Sequence, residues 1–220
     1  MRRNSAIMVS LLATLLVPTG ARASRASRAA QSGEATDPVV VRIEPGGVIL
    51  QSQVTKLGAL QVLTQGIPDS RDRLIQELID QWIVMNDAKE SGFPEPSGQL
   101  VDIEEARLAG QFGNSEAYAA KLREVGLSTE DVRQLLSRQI LVDHYLDHKF
   151  RSSVQIDKSA IEKYYQKEWL PALSRENLSQ VPLSEAQDQI REVLTQQEIR
   201  ERGAKWISET KSHLKIETLG

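Results

Sequence analysis

The chain has 220 residues, 40% hydrophobic and 26% charged, with aromatics at only 5%. That balance is ordinary for a soluble globular protein, suits one domain with a small appendage, and requires a core of aliphatic side chains. There is no cysteine, which excludes thiol catalysis, cysteine-ligated metal sites and disulfide support.

The first residues read as an address. Arg2 and Arg3 precede a short apolar run from Ala6 to Val17, Pro18 and Gly20 break it, and Ala21-Arg22-Ala23 is an A-x-A cleavage signal. Positive, apolar and small-residue regions in that order describe a secretory signal peptide over residues 1–23. The run is shorter than the ~20 residues of a membrane span, so no stable span is expected after cleavage; an uncleaved anchor is the alternative. Cleavage removes three arginines and no acid, leaving 24 basic and 30 acidic side chains, a charge of −6. That argues against a nucleic-acid partner, which calls for a basic surface. An exported chain without disulfides must stand on its hydrophobic core, and this one is long enough to do so.

Residues 24–38, rich in Ser, Ala and Arg, read as a flexible linker. Val39, Val41 and Ile43 alternate, Pro45-Gly46-Gly47 signals a turn, and Val48-Ile49-Leu50 follows, which together predict a small hairpin. The glycines lack the spacing of a phosphate-binding loop. A first helix is predicted over Ser52 to Thr64. A second, capped by Asp69 or Ser70 and running to about Ser91, is apolar over much of its circumference through Leu74, Ile75, Leu78, Ile79, Trp82, Ile83 and Met85. A more polar third helix spans Gly98 to about Gln111, and Ser115 caps a short fourth ending near Val125.

The fold is organised around Ser128 to Arg151. Ser128 stands as N-cap with Asp131 three residues on, a variant of the capping box. Val132, Leu135, Leu136, Ile140, Val142, Leu146 and Phe150 share one face, while Leu141 and Tyr145 fall on the opposite one. A helix with two apolar stripes is packed from both sides. After it, Asp157 caps a helix from Lys158 to about Trp169 that ends at Pro171, and Leu170 to Pro182 has no period. Ser184 and Gln187 form a capping box that opens a long last helix to about Leu214, with Gly203 as an interruption. Lys215 to Leu219 alternates as a strand and is the candidate partner of Val39 to Glu44. The predicted fold is therefore mostly α, with a minor β-sheet from the N- and C-terminal strands.

The order of these segments carries a resemblance. "VVVRIEPGGVILQSQV", "LIQELIDQWIVMNDAKESGF", "GLSTEDVRQLLSRQILVDHYL", "VQIDKSAIEKYYQKEW" and the closing "LSEAQDQIREVLTQQEIRERGAKWISETKSHLKIETL" resemble the chaperone module of the SurA-type periplasmic chaperones and of related exported foldases with parvulin domains. The likeness covers about residues 39 to 219. It implies that a helical domain of residues 39–169 is completed by residues 184–219. In that family, prolyl isomerase domains usually follow the segment that here is "IEKYYQKEW". Only the short stretch 170–183 occupies that place, and a folded domain needs about fifty residues. The expectation is a protein that is not an enzyme. The resemblance implies a periplasmic, ATP-independent holdase for unfolded or newly exported polypeptides, outer-membrane proteins among them. A dedicated envelope assembly subunit and an isomerase-family protein with residual activity are the alternatives.

Candidate client-binding residues are Tyr164, Tyr165 and Trp169, placed beside the stretch that replaces the isomerase domain; the competing reading is core aromatics with a polar tip. His144 and His148, at i, i+4 on the central helix, could share a metal, but no Glu stands between them as in H-E-x-x-H, and a solvated face accounts for them. The pairs Glu104-Glu105 and Glu130-Asp131 point in different directions on their helices, and there is no G-x-S-x-G. Arg200, Arg202 and Lys205 interleave with Glu198 and Glu201 as a mixed-charge face. No cofactor, catalytic residue or metal site is expected.

Overall fold

The computed structural model describes residues 37–176 and 178–219. The expected signal peptide lies outside the described residues, as does the expected linker except for Asp37 and Pro38. Strands β1 (Val39–Glu44) and β2 (Gly47–Leu50) form the expected hairpin. Gly46 takes a left-handed φ of 80°, which a side chain would disfavour. Strand β3 (Lys215–Thr218) pairs antiparallel with β1, so the sheet order is β2-β1-β3 and the two ends of the domain meet on the central strand. In that register Ile43 faces Ile216, and Glu44 faces Lys215, whose ammonium lies 2.8 Å from its carboxylate. A bulge between Val39 and Val41 breaks strict alternation, and Val40 is buried along with Val41.

Helix α1 (Gln51–Gln65) leaves β2 directly, and Gly66 ends it in the left-handed region. Helix α2 (Arg71–Glu90) starts at the Ser70 cap. Buried Gln61 ties the two together: its side-chain oxygen accepts from the Asp69 N–H at 2.7 Å and its amide donates to Glu77 at 3.1 Å. Helices α3 (Gly98–Ala109) and α4 (Ser115–Val125) follow. Asn114 rather than Ser115 caps α4, accepting from the Ala117 N–H at 2.8 Å. Helix α5 (Thr129–Phe150) has the full reciprocal cap, with the Asp131 N–H donating to Ser128 at 3.1 Å and the Ser128 N–H donating to Asp131 at 2.9 Å.

Both apolar stripes of α5 are used. Val132, Leu135 and Ile140 are buried on one side, Leu141 and Tyr145 on the other. The helix packs against α1, α2, α3 and, later in the chain, α8 (Leu183–Ser212). The sheet, α1 and α2 share one aliphatic core onto which Trp206, Ile207, Leu214 and Ile216 from the chain's end are packed. Full burial of a single Ile such as Ile43 or Ile79 contributes about 1.5–3 kcal/mol. From Asp37 on the chain forms one compact unit.

Three local expectations are corrected. Gly203 does not interrupt α8; it is buried where α8 crosses α5, and a Cβ there would sit 3.3 Å from the nearest Leu146 methyl. Pro182 precedes the first turn of α8, and no side chain caps it, so the Ser184 box does not form. The helix opened by Asp157 does not stop at Pro171. Helix α6 (Lys158–Tyr164) passes through a π-helical turn, Tyr165–Trp169, into α7 (Leu170–Arg175), so the stretch expected as a loop over 170–183 is helical as far as Arg175. The Leu170 N–H bonds back to the Tyr165 carbonyl, and Pro171, which has no N–H to place, falls at the first turn of the new segment, where none is required.

Candidate functional site

A groove of about 460 Å³ lies between the hairpin, α2 and α5. One face of α2 supplies Leu78, Trp82, Met85 and Lys89, residues at helical spacing that turn together toward the opening. Pro45, Gly46 and Val48 form the hairpin wall, and Arg138 and Leu141 come from α5. Ile49, Gln53, Gln81, Asn86 and Glu95 complete the lining. Val48 is 50% exposed, a large aliphatic residue left open on the edge strand. Trp82 and Met85 are half-buried. Apolar side chains joined by placed polar groups are the usual make-up of a binding cleft.

The groove wall is held by a close approach. A Cβ on Gly47 would lie 2.5 Å from the Trp82 ring, so only glycine lets the indole lie against the strand backbone. The spacing puts Trp82 and Met85 in a helix apolar over much of its circumference and does not separate the face that the hairpin leaves open. The signal for that face was the indole among aliphatic residues; the signal on α5 was an arginine set between the pairs Leu135-Leu136 and Leu141-Val142.

Tyr164, Tyr165 and Trp169 are brought together elsewhere. They pack with Ile161, Ala186 and Ile190 where α6 and its π-helical extension meet the first half of α8. All three are half-buried, and the Tyr165 hydroxyl donates to the Val181 carbonyl at 2.8 Å. The buried Trp169 Nε1 has no hydrogen-bond partner among the described residues. Leu178, in the following loop, is 47% exposed.

The carboxylates singled out in the sequence enter local structural contacts. Glu104 pairs with Arg107 at 2.7 Å, and Glu105 with Arg133 at 2.7 Å. Asp131 serves the α5 cap and lies 2.5 Å from the Lys56 ammonium, and these contacts, that of Lys56 foremost, hold its carboxyl down to about 2. His144 borders a shallow cleft of about 200 Å³ between α3 and α5, while the His148 ring sits 5.2 Å from that of Phe93. No group of three metal-ligating side chains occurs among the described residues. No helix among them is long and apolar enough to cross a membrane.

The described residues thus form a mostly helical domain with a small antiparallel sheet and an open groove of mixed apolar and polar lining. No protein-family model matches the chain, and no curated protein matches it significantly.

Proposed function

We propose that this protein is an ATP-independent holdase of the SurA-type chaperone family, acting in the periplasm on unfolded or newly exported polypeptides and carrying no isomerase activity of its own. The observation that carries the reading is the groove beside Trp82 and Met85: it is open to solvent and lined by apolar and polar side chains together. A holdase needs a surface that accepts extended apolar segments weakly and reversibly, and such a groove meets that need without a deep, selective cavity. The signal-peptide pattern and the acidic balance of the remaining chain support an exported, non-nucleic-acid role. Tyr164, Tyr165 and Trp169 are proposed as a second contact patch, since all three residues are only half-buried.

The test is a panel of chemically unfolded exported proteins diluted into buffer without nucleotide. The holdase reading expects the chain to slow aggregation of several of them at near-stoichiometric ratio. Protection of a single protein with no effect on the others would identify a dedicated assembly subunit instead. Measurable turnover of a proline-containing peptide would show an isomerase.

A further inference from the structure

Six lysines and arginines are half-buried among the described residues, and five of them meet a carboxylate. Lys56 pairs with Asp131, Lys121 with Glu124, Arg133 with Asp102 and Glu105, Lys149 with Asp87, and Lys211 with Asp80. The sixth is Arg138, in the groove wall, and among the described residues it makes neither an ion pair nor a side-chain hydrogen bond. Burial alone acts on its guanidinium and pulls it below its ordinary value, with no acid close enough to oppose that. A cation taken partly out of water without a partner costs free energy, which an incoming anion can recover. The guanidinium is shaped for a carboxylate, which it grips through two parallel N–H donors. Lys89 and Glu95 also border the groove, so its formal balance is one positive charge in a chain of net charge −3.

We infer that the groove recognises a carboxylate lying next to a large apolar side chain on an extended peptide, with Arg138 as the carboxylate anchor and Trp82 and Met85 as the apolar wall. Charge complementarity selects this occupant. A purely aliphatic segment would leave the guanidinium unpaired, and a basic segment would be repelled by it. The inference rests on the polypeptide-binding reading and sharpens it. Binding becomes selective for an extended segment in which a carboxylate flanks a large apolar side chain, rather than for hydrophobicity alone.

The experiment uses the full chain and a short, unstructured, fluorescently labelled peptide ending in Leu-Phe, in three forms. The first has a free terminal carboxylate, the second an amidated terminus, and the third an amidated terminus with Glu beside the Phe. Anisotropy titrations should show the free-acid form binding about tenfold more tightly than the amide, as for a charge-assisted bidentate contact. Recovery in the Glu form identifies a side-chain carboxylate as sufficient; no recovery identifies the chain terminus as the source. In Arg138→Met, with helix content checked by circular dichroism, the preference should fall to within twofold, and Arg138→Lys should keep part of it. Equal affinity of the wild-type chain for all three forms overturns the anchor, and so does a preference that survives in Arg138→Met. The comparison of peptides on the wild-type chain needs no variant to fold. Aggregation suppression without any carboxylate preference would remove the anchor and leave the holdase reading standing. A carboxylate preference without aggregation suppression would do the reverse.

Discussion

The Lys149 ammonium lies 2.7 Å from the Asp87 carboxylate and joins α5 to α2. The same carboxylate accepts the Tyr145 hydroxyl, and Lys149 sits 4.5 Å above the Trp206 ring of α8. Three helices from distant parts of the chain therefore meet at one polar knot. Burial opposes charge on Asp87, but the Lys149 and Tyr145 hydrogen bonds outweigh it and hold the carboxyl below its ordinary value. Asp87→Ala should deprive Lys149 of its carboxylate, leave the Tyr145 hydroxyl only its 3.1 Å contact with Ser91, and lower unfolding stability by about 1–3 kcal/mol, measured by urea titration at neutral pH. An unchanged midpoint would show that solvent replaces the carboxylate without cost.

Acid should weaken the fold in a defined window. Asp131 and Glu192 are both held down to about 2, the first by Lys56 and its cap contacts, the second by Arg151 and Gln196. A carboxyl whose folded value is depressed takes up its proton in the unfolded chain first as pH falls. Its contribution is present above its ordinary values of 3.8 and 4.5 and is lost on the way down to about 2. Glu77, raised by burial, works in the opposite sense and costs stability once ionised. Urea titrations at pH 7, 4 and 2.5 should show stability falling across the last interval, with a shallower fall in Asp131→Asn. Equal slopes for the two proteins would remove Asp131 from the account.

Gly47→Ala tests the groove wall. The added Cβ meets the Trp82 indole at 2.5 Å, and both neighbours are held, one in a strand and one on a helix. Overpacking of this kind costs about 1–3 kcal/mol, and the displaced indole should shift the tryptophan emission. The hairpin and α2 would have to be more pliable than their packing implies if the variant matched the wild type in both readouts.

Much of the helical framework was legible in the residues. The caps at Ser70, Ser128 and Asp157 and the left-handed Gly66 mark element ends by local chemistry, and the two stripes of α5 follow from spacing alone. The pairing of β1 with β3 was legible because only one other alternating segment exists to complete the sheet. What escaped depends on neighbours remote in sequence. Gly203 reads as a helix breaker until Leu146 is laid against it. Pro171 reads as a stop until a π-helical turn supplies a frame in which its missing N–H has no bond to make. Arg138 is marked locally only as an arginine between two apolar pairs; that it lacks a carboxylate partner emerges once the partners of the other half-buried cations are known.

The most direct test of the account places a photo-crosslinking residue at Val48 or Met85 in the groove, and at Ile67 or Ile103 as controls. Ile67 and Ile103 are 74% and 55% exposed and do not line the groove. On illumination with an unfolded exported protein, the account predicts adducts from positions 48 and 85 well above those from 67 and 103. Equal crosslinking from all four positions would contradict it, since contact would then follow exposed apolar area rather than the groove.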